Sequence, residues 1–246
     1  MNEKLELRKL LIYAISVYRI PQKIKGMTDK RKRKGIPFFN LIMPVFMALL
    51  LQYESFHTFF SAPESMGRRF GNFIRGRIPK VDAVRDALAL LEADEVGDLL
   101  DSIVEKTYRN AVFRSGTIGG YTAAAVDGVE LFSSTKKSCR KCLTRKNKAG
   151  QTEYFHRSVV CASIGHSPHV VLGQEMLTPR DGGEKDEGEL TGGKRLVRDL
   201  HRKFGHFADV IVADALYLNA PFLNTVLDCH MDAVIRLKDE ERLIYK

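Results

Sequence analysis

A short apolar run that ends on an aspartate sets the tightest limit on how this chain can fold. Val210–Ala213 contains no polar residue and is followed directly by Asp214. Such a run is typical of a strand that is buried on both faces, as in a parallel sheet covered by helices. Asp214 would then lie at the carboxyl edge of the sheet, where ligands and catalytic groups collect in α/β proteins. The structural alternative is an aspartate that caps the next helix.

The other patterns place an all-helical region before an α/β domain. Helical periodicity covers most of residues 1–110, and Pro21 is expected to close the first helix. Strands are predicted at residues 121–126, 129–132, 156–164, 170–176 and 233–237, helices at 194–204 and 221–229, and an acidic, glycine-rich loop at 181–193. Three early strands followed by helix–strand–helix–strand indicate an α/β sheet. We therefore expect a helical region over residues 1–115 and an α/β domain over residues 116–246.

Basic charge is concentrated in the first third of the chain. Residues 1–80 hold 16 Lys/Arg and 5 Asp/Glu, whereas residues 81–246 hold 23 and 25. This distribution suits a surface that neutralises DNA phosphates, although a solvated basic linker would have the same composition. With a third basic run, the expected DNA contacts are Lys30, Arg31, Lys32, Arg33, Lys34, Arg68, Arg69, Arg75, Arg77, Lys136, Lys137, Arg140 and Lys141.

Several classes of protein are disfavoured by the composition. The apolar stretch Ile36–Leu51 is shorter than the roughly 20 residues that a membrane span requires, so we expect a buried helix and no membrane association. Residues 1–9 alternate in charge and do not predict a secretory signal. Four cysteines in 246 residues do not form a disulfide scaffold. A reducing cytoplasm is the compartment that these features favour.

Asp127 is a second acid beside short apolar segments. Asp127-Gly128 between two apolar runs is also a strong signal for a tight hairpin turn, which would leave Asp127 without chemistry. If Asp127 and Asp214 converge, their oxygens could hold Mg²⁺ or Mn²⁺, which are hard cations that bridge substrate phosphates. Two such ions, about 3.5–4 Å apart, stabilise both oxygens of an in-line phosphoryl displacement.

Two other motifs carry less weight. Gly188-x4-Gly193-Lys194 resembles a phosphate-binding loop, but Arg195 replaces the required Ser/Thr and acidic residues surround it, so no nucleotide cofactor is expected. The spacing Cys139-x2-Cys142 is typical of a pair of zinc ligands, and His156 and Cys161 are candidates for further ligands. Residues five apart on a regular strand face opposite sides, however, so His156 and Cys161 could not share one ion. On that ground the sequence argues against zinc.

Several spaced segments resemble bacterial DDE-class transposases of the insertion-sequence-four group. They are VDGVELFSST (126–135), SCRKCLTR (138–145), EYFHRSVVCASIGHSPHVVLG (153–173), VIVADALYLNAPFLNTVL (210–227) and MDAVIRLKDE (231–240), with LLLQYESFHTFF (49–60) and PKVDAVRDAL (79–88) in the helical region. The resemblance implies a mixed sheet with a ribonuclease H-like core. It also implies Asp127 and Asp214 as the first two catalytic metal ligands, and DNA, both transposon ends and target, as the partner.

One part of the family pattern has no counterpart here. The third acid of this group is a Glu in a Tyr-x2-Arg-x3-Glu-x6-Lys pattern, which does not occur in the chain, and Glu240 and Glu241 come too early to replace it. The resemblance therefore predicts an incomplete core and a chain that is inactive alone. The alternatives are a regulatory DNA-binding remnant that occupies transposon ends, and a metal-dependent nuclease without strand transfer. Self-association is left open.

Overall fold

The computed structural model describes residues 9, 12–13, 15–60, 79–179 and 186–237. The chain divides into two compact units, Met1–Ser102 and Ile103–Lys246. A domain boundary near residue 115 stays a prediction. No helix in the described part of the chain is both long and apolar enough to cross a membrane.

The described part of the first unit is helical. Its helices are α1 (Ile20–Gly26), α2 (Phe38–Leu50), α3 (Phe56–Phe60), α4 (Val81–Leu88) and the start of α5 (Ala93–Arg109). The helix expected before Pro21 ends at residue 18, and Arg19 follows it with a φ of 52°. Pro21 itself does not leave the chain in a loop, because it lies in the first turn of α1, where a proline costs no backbone hydrogen bond. The apolar stretch expected to be a buried helix is confirmed as α2, which buries Leu41, Met43 and Met47.

The second unit is a mixed α/β structure built around one six-stranded sheet. Its strands are β1 (Ala123–Ser134), β2 (Leu143–Lys146), β3 (Thr152–Ile164), β4 (Val171–Met176), β5 (Val210–Ala213) and β6 (Asp232–Ile235). The order is β2–β3–β1–β5–β6, and β4 also pairs with β3. Pairing is antiparallel among β1 to β4 and parallel from β1 through β5 to β6. Helices α6 (Glu189–Phe204) and α7 (Ala220–Asp228) follow β4 and β5.

The structure corrects three local expectations. Asp127-Gly128 does not form a hairpin turn, because β1 continues through it and pairs with β3 on both sides of it. The lysine-rich stretch after Cys142 contains β2, which the sequence pattern did not predict. Helix α6 begins at Glu189, within the predicted loop, so Gly193 and Lys194 are helical and do not form a phosphate-binding loop.

Two glycines let α6 pack close to the rest of the second unit. A Cβ on Gly192 would lie 2.4 Å from Leu177 Cδ2, and a Cβ on Gly193 would lie 2.8 Å from Tyr217 Cε1. Tyr217 belongs to a short 3-10 helix, Ala215–Tyr217, that directly follows Asp214. The first turns of α6 are therefore held beside the segment that leaves β5.

Candidate active site

Asp127 and Asp214 lie at equivalent positions on two adjacent parallel strands. Val126 of β1 is in register with Ala213 of β5, and each aspartate is the next residue. The backbone of Asp214 is still extended, with φ −77° and ψ 177°, so the register continues by one residue. Registered residues of neighbouring strands point to the same face of a sheet. The sheet therefore brings the two carboxylates side by side, and both residues are exposed.

Each aspartate uses one oxygen to accept a local backbone hydrogen bond. Gly128 N donates to Asp127 Oδ1 over 2.8 Å, and Leu216 N donates to Asp214 Oδ1 over 2.9 Å. The capping alternative for Asp214 is thus partly right, because its side chain caps the 3-10 helix. These bonds fix the orientation of both carboxylates and leave the second oxygen of each available to a ligand.

Tyr217 connects these aspartates to a third carboxylate. The residue is fully buried, and its hydroxyl forms no hydrogen bond with any described group. Burial raises the pKa of this phenol above its usual value, and the negative charges of Glu189, Asp127 and Asp214 raise it further. The positive charge of Arg157 acts in the opposite direction and lowers this pKa.

Glu189 is the acid that the sequence analysis missed. Its carboxylate lies against the backbone of β1, because a Cβ added to Gly128 would come within 2.2 Å of Glu189 Cδ. Arg157 Nη1 donates a hydrogen bond of 2.7 Å to Glu189 Oε1, and the Glu189 side chain is 13% exposed. Because neighbouring residues of a strand face opposite sides of the sheet, the Glu189 carboxylate lies beside Gly128 on the face opposite to the Asp127 side chain. Its place in an acidic, glycine-rich stretch made it look like a loop residue.

The donor set fits a hard divalent cation. Carboxylate oxygens are the side-chain ligands that Mg²⁺ and Mn²⁺ prefer, and a buried tyrosine hydroxyl without a hydrogen bond marks a polar, underfilled location. The three carboxylates are spread more widely than the compact Cys/Cys/His group described below, whose ligand atoms all lie within 4.8 Å of one another. The two aspartates therefore offer only part of a coordination shell, and substrate oxygens or water would have to supply the rest.

The predicted DNA-contact residues have mixed environments. Arg31 is engaged locally, since its guanidinium donates to Asp29 over 2.9 Å and to Ile36 O over 2.7 Å. Lys30 pairs with Glu92. Lys32, Arg33 and Lys34 are exposed, as are Lys136, Lys137, Arg140 and Lys141 in the loop between β1 and β2. Arg68, Arg69, Arg75 and Arg77 lie outside the described residues.

Of the four residues that the sequence offers as zinc ligands, three lie together and one lies apart. Cys139, Cys142 and His156 come together, whereas Cys161 is fully buried on β3. The argument that His156 and Cys161 cannot share an ion therefore stands. It does not exclude zinc, because β1 and β3 bring His156 to the loop cysteines without Cys161.

Comparison with known proteins finds a distant structural neighbour. No family model matches the chain, and no curated protein matches it. Among solved structures, a piggyBac transposase in a synaptic complex with hairpin DNA is similar at 16% identity and a TM-score of 0.38. That similarity covers 88% of this chain and 47% of the transposase, so this chain spans about half the length of that protein. The relationship is distant and does not single out the bacterial insertion-sequence group.

Proposed function

We propose that this chain carries the metal-binding centre of a DDE-class DNA transposase with a ribonuclease H-like core. The observation that carries the proposal is the register of β1 and β5, in which Asp127 within β1 lies opposite Asp214, the residue that follows β5. The sheet order, with β1 antiparallel to β3 and parallel to β5, agrees with the mixed sheet that the sequence resemblance implies.

In this proposal Asp127 and Asp214 hold Mg²⁺ or Mn²⁺, and the bound cation supplies Lewis acidity and an activated nucleophile. The chemistry is hydrolysis of a phosphodiester at a transposon end, followed by attack of the freed 3′-hydroxyl on target DNA. The backbone amides of Gly128 and Leu216 hold the two carboxylates in place. Tyr217 is buried beside this segment, and burial raises the pKa of its phenol.

The basic residues of the loop after β1 would contact the DNA backbone. Lys136, Lys137, Arg140 and Lys141 are exposed and belong to the segment that directly follows the strand carrying Asp127. Residues 128–135, most of them in β1, separate Asp127 from Lys136, so this loop would hold DNA phosphates at a distance from the carboxylates. These contacts would contribute affinity and position without reading bases.

The third acid decides how active residues 1–246 are by themselves. The Glu pattern implied by the resemblance does not occur in them, and Glu189 is held by Arg157. We therefore propose that this polypeptide alone cleaves DNA weakly or not at all. Glu189 lies against Gly128 on the face of β1 opposite to Asp127, so it does not replace the missing ligand in this proposal, and Glu189→Gln tests that assignment.

The deciding experiment incubates the chain with supercoiled plasmid and labelled duplex carrying the DNA that flanks its gene, in Mg²⁺ or Mn²⁺. Joined products that require Asp127 and Asp214 support a transposase. Cleavage without joining indicates a nuclease. Binding without cleavage is the result expected of this chain alone, so the assay is repeated with a supplied segment that carries the missing Glu pattern, and binding without cleavage in that mixture indicates a regulatory protein. Asp228→Asn, at the exposed end of α7, is the matched control. Cleavage that is unchanged in Asp127→Asn and Asp214→Asn would overturn the proposed site.

A further inference from the structure

Two cysteines and a histidine meet away from the carboxylate site. Cys139 and Cys142 lie in the loop between β1 and β2, and His156 lies on β3. The two sulfurs are 3.5 Å apart, and His156 Nε2 lies 3.2 Å from Cys139 Sγ and 3.4 Å from Cys142 Sγ. We propose that Cys139, Cys142 and His156 bind a zinc ion that fixes this loop to the sheet.

The three distances are close to those of a tetrahedral zinc site. Zinc lies about 2.3 Å from a cysteine sulfur and about 2.0–2.1 Å from a histidine nitrogen, which places the ligand atoms of a tetrahedron about 3.5–3.8 Å apart. The observed separations of 3.2 to 3.5 Å require each ligand to move by only a few tenths of an ångström. The group is therefore close to its binding geometry already.

Burial raises the pKa of the Cys142 thiol, and backbone amides around the two cysteines act in the opposite direction. Cys139 N donates to Cys142 Sγ over 3.1 Å, and Lys141 N donates to Cys139 Sγ over 3.3 Å. Hydrogen bonds from amides stabilise the negative charge of a zinc-bound sulfur and orient it. Few other interactions shape the loop, apart from the Ser134 hydroxyl, which accepts from the amides of Lys136 and Lys137.

The fourth coordination position faces solvent. In the described chain no other His, Cys, Asp or Glu places a ligand atom in this group, and Cys139 is exposed. Cys161 is excluded because it pairs with Val126 in the centre of the sheet, and burial raises the pKa of its thiol to about 12. Water completes the tetrahedron in our proposal.

Zinc at this position would order the basic loop. The residues between Thr135 and Cys142 include Lys136, Lys137, Arg140 and Lys141, which are all exposed. Metal binding supplies the free energy that orders a segment with few contacts of its own. The zinc site stands without the proposed transposase function. Only the use of the ordered loop to hold DNA phosphates rests on that function.

A disulfide between Cys139 and Cys142 is the competing state. Both are free thiols in the structure, and their separation of 3.5 Å would have to shrink to about 2.05 Å to form the bond. A disulfide would remove both thiolates and with them the zinc site. Mass measurement of the chain purified without added reductant distinguishes the two states by the loss of two hydrogens.

The test uses the full chain purified under reducing conditions. Zinc content is measured directly, and the metal-free protein is then titrated with Zn²⁺ against a chromophoric chelator and with Co²⁺ by absorption. We expect one zinc per chain, and Co²⁺ bands for thiolate charge transfer and tetrahedral coordination. Cys139→Ser, Cys142→Ser and His156→Ala should each lower zinc affinity by at least about 10–100-fold. Cys161→Ala and His166→Ala are the matched controls and should bind like the parent.

A ligand-preserving substitution guards against misfolding. His156→Cys keeps a zinc ligand at that position, so it should restore the Co²⁺ charge-transfer band that His156→Ala loses. Zinc well below one per chain, an oxidised Cys139–Cys142 pair in the reduced preparation, or unchanged affinity in all three variants would overturn the proposal. Asp127→Asn and Asp214→Asn should keep their zinc, so failure of this site and failure of the carboxylate site are distinguishable.

Discussion

The carboxylate site and the Cys/His group differ in how completely the fold assembles them. The ligand atoms of Cys139, Cys142 and His156 already lie within hydrogen-bonding distance of one another. Asp127 and Asp214 are exposed, and each has a free oxygen directed away from its local amide bond. The difference indicates two kinds of metal site. The Cys/His group would hold zinc as a structural ion, whereas the two aspartates would need oxygens of the substrate to complete the coordination of Mg²⁺ or Mn²⁺.

The largest effects should come from removing one ligand from each of the two sites in turn. Cys142→Ser should lower zinc affinity by about 100-fold while leaving Mn²⁺ binding unchanged, because hard ions do not use thiolates. Asp214→Asn should do the reverse. Parallel zinc and Mn²⁺ titrations of both variants check this. Loss of both metals in either variant would mean that the two sites are not independent.

A smaller but substantial effect is expected at the contact between β1 and α6. Gly128→Ala places a methyl group in the space occupied by the Glu189 carboxylate, which must swing away and give up its bond from Arg157, so the free energy of unfolding should fall by about 1–2 kcal/mol. Urea unfolding measures the change. In the Glu189→Ala background the same substitution should cost much less, since the obstructing group is gone. Equal costs in both backgrounds would contradict the close approach of Glu189 to β1.

Removing the Tyr217 hydroxyl should do little harm to stability. Tyr217→Phe deletes a buried hydroxyl that has no hydrogen bond among the described residues, so stability should stay equal or rise by about 1 kcal/mol. Thermal unfolding of the variant tests this. A loss of more than about 2 kcal/mol would show that the hydroxyl is hydrogen bonded in solution. Tyr154→Phe, on half-buried β3 surface, is the matched control.

The smallest effect concerns how the free energy of unfolding depends on pH, through Asp209 just before β5. Asp209 accepts hydrogen bonds from Thr122 N over 2.6 Å and from the His206 ring over 2.8 Å, and these bonds lower its pKa. A carboxyl group whose pKa is lower in the folded chain than in the unfolded chain stabilises the fold at pH values above its unfolded pKa, about 3.9. That stabilisation is lost as the pH falls through the folded pKa. Asp209→Asn should cost about 1 kcal/mol near pH 7. Denaturant titrations should show this cost shrinking below pH 4, and a cost independent of pH would contradict the assignment.

Local patterns predicted the elements that local forces determine. The strand Val210–Ala213 and the helix that Asn219 caps, through a 3.0 Å bond from Phe222 N, were both predicted from adjacent residues. Asp127-Gly128 shows the limit of such patterns. Its turn signal is overridden because β3 and β5 pair with the same stretch of β1.

The sites required information that local patterns do not contain. Asp127 and Asp214 are predicted singly, but their proximity depends on the parallel register of β1 and β5. His156 reaches the loop cysteines because β3 aligns it with Phe132, near the end of β1. Glu189 becomes visible only when α6 packs through Gly192 and Gly193. The available signal was the pair Gly192 and Gly193, which are small residues on the same face of α6 as the apolar residues that follow them.

The central claim is that Asp127 and Asp214 share a divalent cation, and Mn²⁺ binding followed by electron paramagnetic resonance tests it most directly. The method counts bound ions without requiring activity, and the titration includes a duplex whose phosphates can complete the site, with the duplex alone as the blank. We expect the parent chain and Asp228→Asn to bind Mn²⁺ alike, whereas Asp127→Asn and Asp214→Asn should each weaken binding by at least about tenfold. Mn²⁺ binding that persists unchanged when either aspartate is replaced, or that is absent from the parent, would contradict the account.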